Sequence, residues 1–100
     1  MAAKLLILAA AERDIDEAFL WYERRHTGLG YEFLRALDAR LHAIQRNPEM
    51  CGFAERHYRR ALVRRFPYAL LYTFSEQTVT IYAVFHTSQD PDKLRARLPK

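Results

Sequence analysis

The sequence predicts an α+β domain of order β-α-α-β-β-β-α, in which a helical hairpin packs on a small, mostly antiparallel sheet. Three observations carry that reading. Apolar residues recur at three- and four-residue spacing through two successive stretches, Ala11 to about Arg25 and Phe33 to Ile44. From Arg56 the composition turns to β-branched and aromatic residues, punctuated by Phe66-Pro67-Tyr68 and Ser75-Glu76-Gln77. The whole chain, residues 1–100, is the length of a single domain, and none of its apolar runs approaches the roughly 18 residues of a membrane span.

Lys4 to Leu8 is too brief for a helix and reads as a buried strand. In the first helix Ala11, Ile15, Ala18, Phe19 and Tyr22 form the apolar stripe. Acids crowd its start and Arg24-Arg25 its end, as the helix dipole prefers. Thr27-Gly28-Leu29-Gly30 holds two of the three glycines and makes a tight turn. Phe33, Leu34, Leu37, Leu41 and Ile44 then trace a second stripe, which Asn47-Pro48 stops. Glu49 to Glu55 has no regular period and reads as a loop. Strands are expected at Arg56–Arg65, Ala69–Phe74 and Thr78–His86, the last apolar on both faces and therefore central or covered twice. Asp90 is placed to cap a closing short helix with Pro91 at its first position.

The net charge of +4 is unevenly spread. Residues 1–55 carry seven Lys/Arg against nine Asp/Glu, whereas residues 56–100 carry nine against three. Arg59, Arg60, Arg64 and Arg65 fall within seven positions of one expected strand, and such a cluster asks for an acidic or polyanionic partner. Strand alternation would put Arg60 and Arg64 on one face, Arg59 and Arg65 on the other. The bland reading of each is a charged edge that discourages strand-to-strand aggregation. Cys51 is alone, so the domain is held by packing in a reducing, cytoplasmic setting, and the short start lacks a strongly basic leader region. His26, His42 and His57 lie in separate elements without metal-ligand spacing, and no glycine-rich phosphate loop occurs, so neither metal nor cofactor is expected.

Among the aromatics, Tyr72 and Tyr82 read as packing and Tyr68, beside Pro67, as the more exposed. Trp21 and Tyr22 point about 100° apart on their helix. Tyr22 follows the buried stripe, leaving Trp21 either as an anchor for a partner or as a cover over the loop at Thr27. His86 ends the most apolar strand, either as a hydrogen-bonded cap or as a general base with a near-neutral reference pKa.

With these elements placed, the chain resembles toxins of the RelE/ParE superfamily from bacterial type II toxin–antitoxin modules, in the ParE or plasmid-stabilisation branch. The likeness covers nearly the whole chain. It rests on Ala11-Glu12-Arg13-Asp14-Ile15, Trp21-Tyr22, Gly28-Leu29-Gly30-Tyr31-Glu32-Phe33-Leu34, Asn47-Pro48, Arg64-Arg65-Phe66-Pro67-Tyr68, Tyr72, and Ile81-Tyr82-Ala83-Val84-Phe85-His86 before Asp90-Pro91. Similar toxins usually carry an arginine where Gln89 stands here, and often an aromatic where Leu94 stands. The resemblance implies a growth-inhibiting toxin neutralised by a cognate antitoxin, whose acidic C-terminal segment folds over the basic sheet face and the helical hairpin. It implies inhibition of DNA gyrase. The alternatives are ribosome-dependent, metal-independent cleavage of mRNA, with His86, Arg60 and Arg64 as candidate catalytic groups, or a non-toxic relative that acts as a binding module. Arg59, Arg60, Arg64, Arg65, Tyr68 and Trp21 are the expected contacts to target or antitoxin, with no membrane partner.

Overall fold

A computed structural model describes residues 2–99. The elements are β1 (Lys4–Ile7), α1 (Ala9–Arg25), α2 (Leu29–Arg46), β2 (Phe53–Glu55), β3 (Tyr58–Leu62), β4 (Tyr68–Ser75), β5 (Thr78–His86) and α3 (Pro91–Arg97). The five strands form one sheet in the order β1-β5-β4-β3-β2. Every pairing is antiparallel except that of β1 with β5, where Leu5 lies opposite Val79 and Ile7 opposite Ile81. This is the expected α+β architecture with one additional strand.

The helical hairpin covers one sheet face. Its two apolar stripes bring Ala18, Tyr22, Phe33, Leu37 and Ile44 down onto Leu70, Tyr72, Val79 and Ile81. The other face carries a smaller cluster of Tyr58, Ala69, Leu71, Ala83 and Phe85, closed by Leu98 just beyond α3. β5 therefore has to be apolar on both faces, as its sequence is.

Two glycines are required where α1 meets α2. Gly28 adopts φ +93°, in the left-handed region, and a Cβ on Gly30 would lie 2.7 Å from a Phe19 ring carbon and 2.8 Å from the Phe19 carbonyl oxygen. The Glu23 carboxylate accepts from the Gly28 and Gly30 backbone N–H groups at 2.9 and 3.0 Å, satisfying donors that the start of a helix leaves free. At the other end of the sheet, Glu76 and Gln77 both have positive φ, 52° and 62°, which gives the two-residue type I′ turn joining β4 to β5.

Three sequence expectations are corrected. The segment read as a loop to Glu55 contains β2, and the strand read from Arg56 to Arg65 is β3 alone, running only from Tyr58 to Leu62. The two form a hairpin whose turn is Arg56-His57, with Arg56 at φ 47°, and no glycine, asparagine or proline marks it. β1 is half-exposed at the sheet edge and not buried; Leu6 is open to solvent. α3 is capped as expected, the Asp90 carboxylate accepting from the Asp92 N–H at 2.9 Å.

One side chain ties three elements together. Asp14 of α1 accepts the Val84 N–H of β5 at 3.0 Å, at a level of β5 beyond the reach of β1. The same carboxylate receives both terminal nitrogens of Arg97 from α3, at 2.8 and 3.2 Å. Tyr58 Oη reinforces the docking of the C-terminal segment by donating to the Pro99 carbonyl at 3.2 Å. Among the described residues, no helix is long and apolar enough to cross a membrane.

Candidate functional site

The cationic strand does not present one surface. Arg59 points to the helical side and is largely enclosed: its guanidinium donates to the carbonyls of Glu49 at 3.2 Å and Cys51 at 2.6 Å, and lies 4.1 Å from the centre of the Phe53 ring. It is a strut that ties the segment before β2 to the sheet. Arg60 projects from the opposite face, 5.7 Å from the Phe85 ring centre, into a cavity of about 260 Å³ beneath α3. Gln89 and Leu94, the two positions that depart from similar toxins, line that same cavity.

Arg64 and Arg65 lie beyond the last residue of β3, in a turn where Arg65 takes φ 72°. Strand alternation therefore does not apply to them, and the expected pairing of Arg60 with Arg64 on one face is corrected: Arg64 and Arg65 stand beside α2. Arg65 pairs with Glu32 of α2 at 3.2 Å. Arg40 of α2 lines the same depression as Arg64 and donates to the Cys51 sulfur at 3.5 Å, while its Nε is buried with no hydrogen-bond partner. The sequence does not single out Arg35 and Arg40, which lie outside the apolar stripe of their helix. Their spacing of five residues, around Ala36 and Ala39, was the available signal for a basic flank.

His86, Tyr68 and Trp21 do come together. They line a cleft of about 410 Å³ beside α1, with Tyr22, Pro67 and Ser88. His86 is exposed at the end of β5, its Nδ1 accepts the Ser88 N–H at 3.1 Å, and the Ser88 hydroxyl lies 2.7 Å away. A ring that accepts at Nδ1 carries its proton at Nε2 when neutral. Tyr68 packs edge-on to His86, with ring centres 5.4 Å apart, and is half-buried rather than fully open. Burial pushes its hydroxyl pKa up, and the nearby carboxylates of Glu17 and Asp14 push it further. Trp21 keeps 48% of its surface exposed, and the Arg25 guanidinium stacks 3.7 Å above its ring centre. Exposure and stacking place Trp21 over its own helix's end, with its outer edge free.

The cleft and the two basic surfaces are thus three separate places: beside α1, beside α2, and under α3. Among the described residues, no three His, Cys, Asp or Glu side chains gather at one point.

A helical hairpin on one face of a five-stranded sheet, with a short closing helix on the other, is the fold of RelE/ParE-type proteins. Residues 5–91 match the family described as the ParE toxin of type II toxin-antitoxin system, parDE, and the chain belongs to that family. Among solved structures it is similar to a chain of the chromosomal ParDE toxin–antitoxin system from P. aeruginosa: TM-score 0.76, 12% identity, 85% of this chain and 96% of that one. It is also similar to a chain of the RelBE2 toxin–antitoxin complex from Mycobacterium tuberculosis, with TM-score 0.63 and 24% identity, over 86% of this chain and 99% of that one. At such identities the structural likeness establishes the fold. No curated protein matches the sequence with significance.

Proposed function

We propose that this toxin is held inactive by a cognate antitoxin, and that the free chain acts by docking on DNA gyrase without itself cleaving a bond. The observation that carries the second half is the dispersal of the candidate catalytic groups. Metal-free cleavage of RNA needs a base within hydrogen-bond reach of the 2′-hydroxyl and cations on the phosphate that gains charge. Here Arg60 opens under α3, Arg64 stands beside α2 and His86 lies in the cleft beside α1, in three different cavities. An inhibitor that works by surface complementarity needs no such convergence.

Support for the first half comes from the solved relatives, which belong to ParDE and RelBE2 toxin–antitoxin assemblies. The exposed Leu20, Trp21 and Tyr31 of the helical hairpin add to it, since apolar side chains left open beside basic ones suit an amphipathic partner.

The test is controlled production of the chain in a bacterial host, with growth, mRNA integrity by primer extension and plasmid supercoiling read in one culture, and a supercoiling assay with purified gyrase. Arrested growth, intact messages and inhibited gyrase are expected, and the His86→Ala variant should retain all three. Discrete cuts within translated messages, lost in His86→Ala, would establish the endonuclease reading instead. Unaffected growth would leave a binding module.

A further inference from the structure

We propose that the cavity beneath α3 binds a small organic monocarboxylate with an apolar body, whose carboxylate pairs with Arg60. This site goes beyond the antitoxin and gyrase readings and depends on neither.

The sheet and the C-terminal segment build the apolar half of the site together. Leu71 of β4 and Phe85 of β5 form a buried floor, Leu98 closes one end, and Leu94 of α3 packs on the same cluster. None of the residues of α3 itself is buried, so the helix roofs this floor without filling the space above it, and about 260 Å³ is left. The roof is held by its own anchors. Arg97 reaches Asp14 at 2.8 Å and Arg95 reaches Glu55 at 3.2 Å, which keeps α3 from settling onto the sheet. The space exceeds the roughly 150 Å³ of an apolar cavity that accepts benzene and falls short of the about 300–1,000 Å³ of pockets for drug-sized molecules. An occupant on the order of ten non-hydrogen atoms fits it.

Charge selects the head group. Glu55, Arg60 and Arg95 are the charged side chains of the lining, and Arg95 and Glu55 answer each other. Arg60 has no carboxylate partner among the described residues; its guanidinium stands 5.7 Å from the Phe85 ring centre. One unanswered cation beside an apolar floor calls for one negative charge on an apolar body, and a guanidinium receives a carboxylate through two parallel hydrogen bonds. Gln89 and Thr87 on the same wall add an uncharged amide and hydroxyl as further donors. A phosphate dianion would set its second charge against Glu55 with no second free cation to meet it. A nucleic-acid segment would lay a polar backbone over Leu71, Leu94 and Leu98.

The probe is phenylacetate, titrated into the isotope-labelled full chain and followed by amide and methyl shifts. Saturable shifts at Leu71, Phe85, Leu94 and Leu98 are expected, with a Kd of about 1 mM or below. Phenylacetamide, which keeps the shape and loses the charge, should bind about tenfold more weakly or worse, a comparison that needs no variant. Arg60→Gln should weaken phenylacetate by a similar factor, whereas Arg13→Gln on the exposed side of α1 should not. Leu94→Trp, which fills the cavity, should abolish the shifts at Phe85 while the spectrum of the helical hairpin stays unchanged. Four results would overturn the proposal: no saturation by about 10 mM, ten times the expected Kd; shifts confined to other residues; equal binding of phenylacetamide; or tighter binding of inorganic phosphate or a single-stranded RNA trinucleotide at the same residues.

Discussion

Replacing Asp14 by alanine should destabilise the fold well beyond the loss of a surface ion pair. The carboxylate does two things: it accepts the N–H of Val84, a residue only 3% exposed, and it holds Arg97 at 2.8 Å. A buried donor stripped of its acceptor costs about 1–3 kcal/mol. The pair with Arg97 is partly solvated and adds about 0.5 kcal/mol. Asp14→Ala should therefore cost about 2–3 kcal/mol, which lowers Tm by roughly 10 °C or more in a domain of this size. Asp14→Asn keeps a carbonyl acceptor for Val84 and should cost about 1 kcal/mol, and Arg97→Ala about 0.5 kcal/mol. Urea unfolding of the three variants measures the series, and hydrogen exchange at Val84 locates it. If Asp14→Ala is no worse than Arg97→Ala, satisfying the buried N–H is not the main contribution of this carboxylate and the reasoning fails.

Gly30→Ala gains helix propensity of about 1 kcal/mol yet drives its Cβ to 2.8 Å from the Phe19 carbonyl oxygen, a backbone atom that cannot swing aside. A net loss of about 1–2 kcal/mol in thermal unfolding is expected, against a gain if the helices can separate freely. Glu23→Ala should cost about 1–2 kcal/mol by freeing the N–H groups of Gly28 and Gly30, whereas Glu23→Gln should recover part of it, as measured by urea midpoints. The hydroxyls of Tyr22, Tyr58, Tyr68 and Tyr72 are all pushed above their ordinary value, burial being the leading cause in each. The unfolded chain then releases these protons first. Stability is fully present below about pH 10 and falls above it, at up to about 1.4 kcal/mol per pH unit for each hydroxyl. Tyr72→Phe should remove one hydroxyl's share of that alkaline slope and cost about 1 kcal/mol at neutral pH through the Pro48 carbonyl it leaves unpaired.

The helical hairpin was legible in the sequence because its information is local. Phe33, Leu37, Leu41 and Ile44 recur at helical spacing and are the residues that the sheet buries. Asp90-Pro91 likewise announces α3. The β2–β3 hairpin was not legible, since Arg56 takes a left-handed conformation that the sequence gives no reason to expect. That missed turn carried through to the site. With β3 ending at Leu62, the four arginines part company, two of them into a turn governed by Arg65 rather than by strand periodicity. The role of Asp14 was hidden for a different reason: Val84 and Arg97 lie 70 and 83 residues away in sequence. Its identity fits any acidic helix start, and only the tertiary fold distinguishes it from Glu12.

The pairing of β1 with β5 bears on the order in which this sheet can form during synthesis. Among the described residues, β1 has as its one neighbour in the sheet the last of the five strands to be made, residues 78–86. Chains are otherwise built from their N-terminal end inward. Here the helical hairpin can form early, but β1 stays unpaired until β5 has been made, and such distant pairings close slowly. The sheet is therefore incomplete for as long as β5 is missing from the nascent chain.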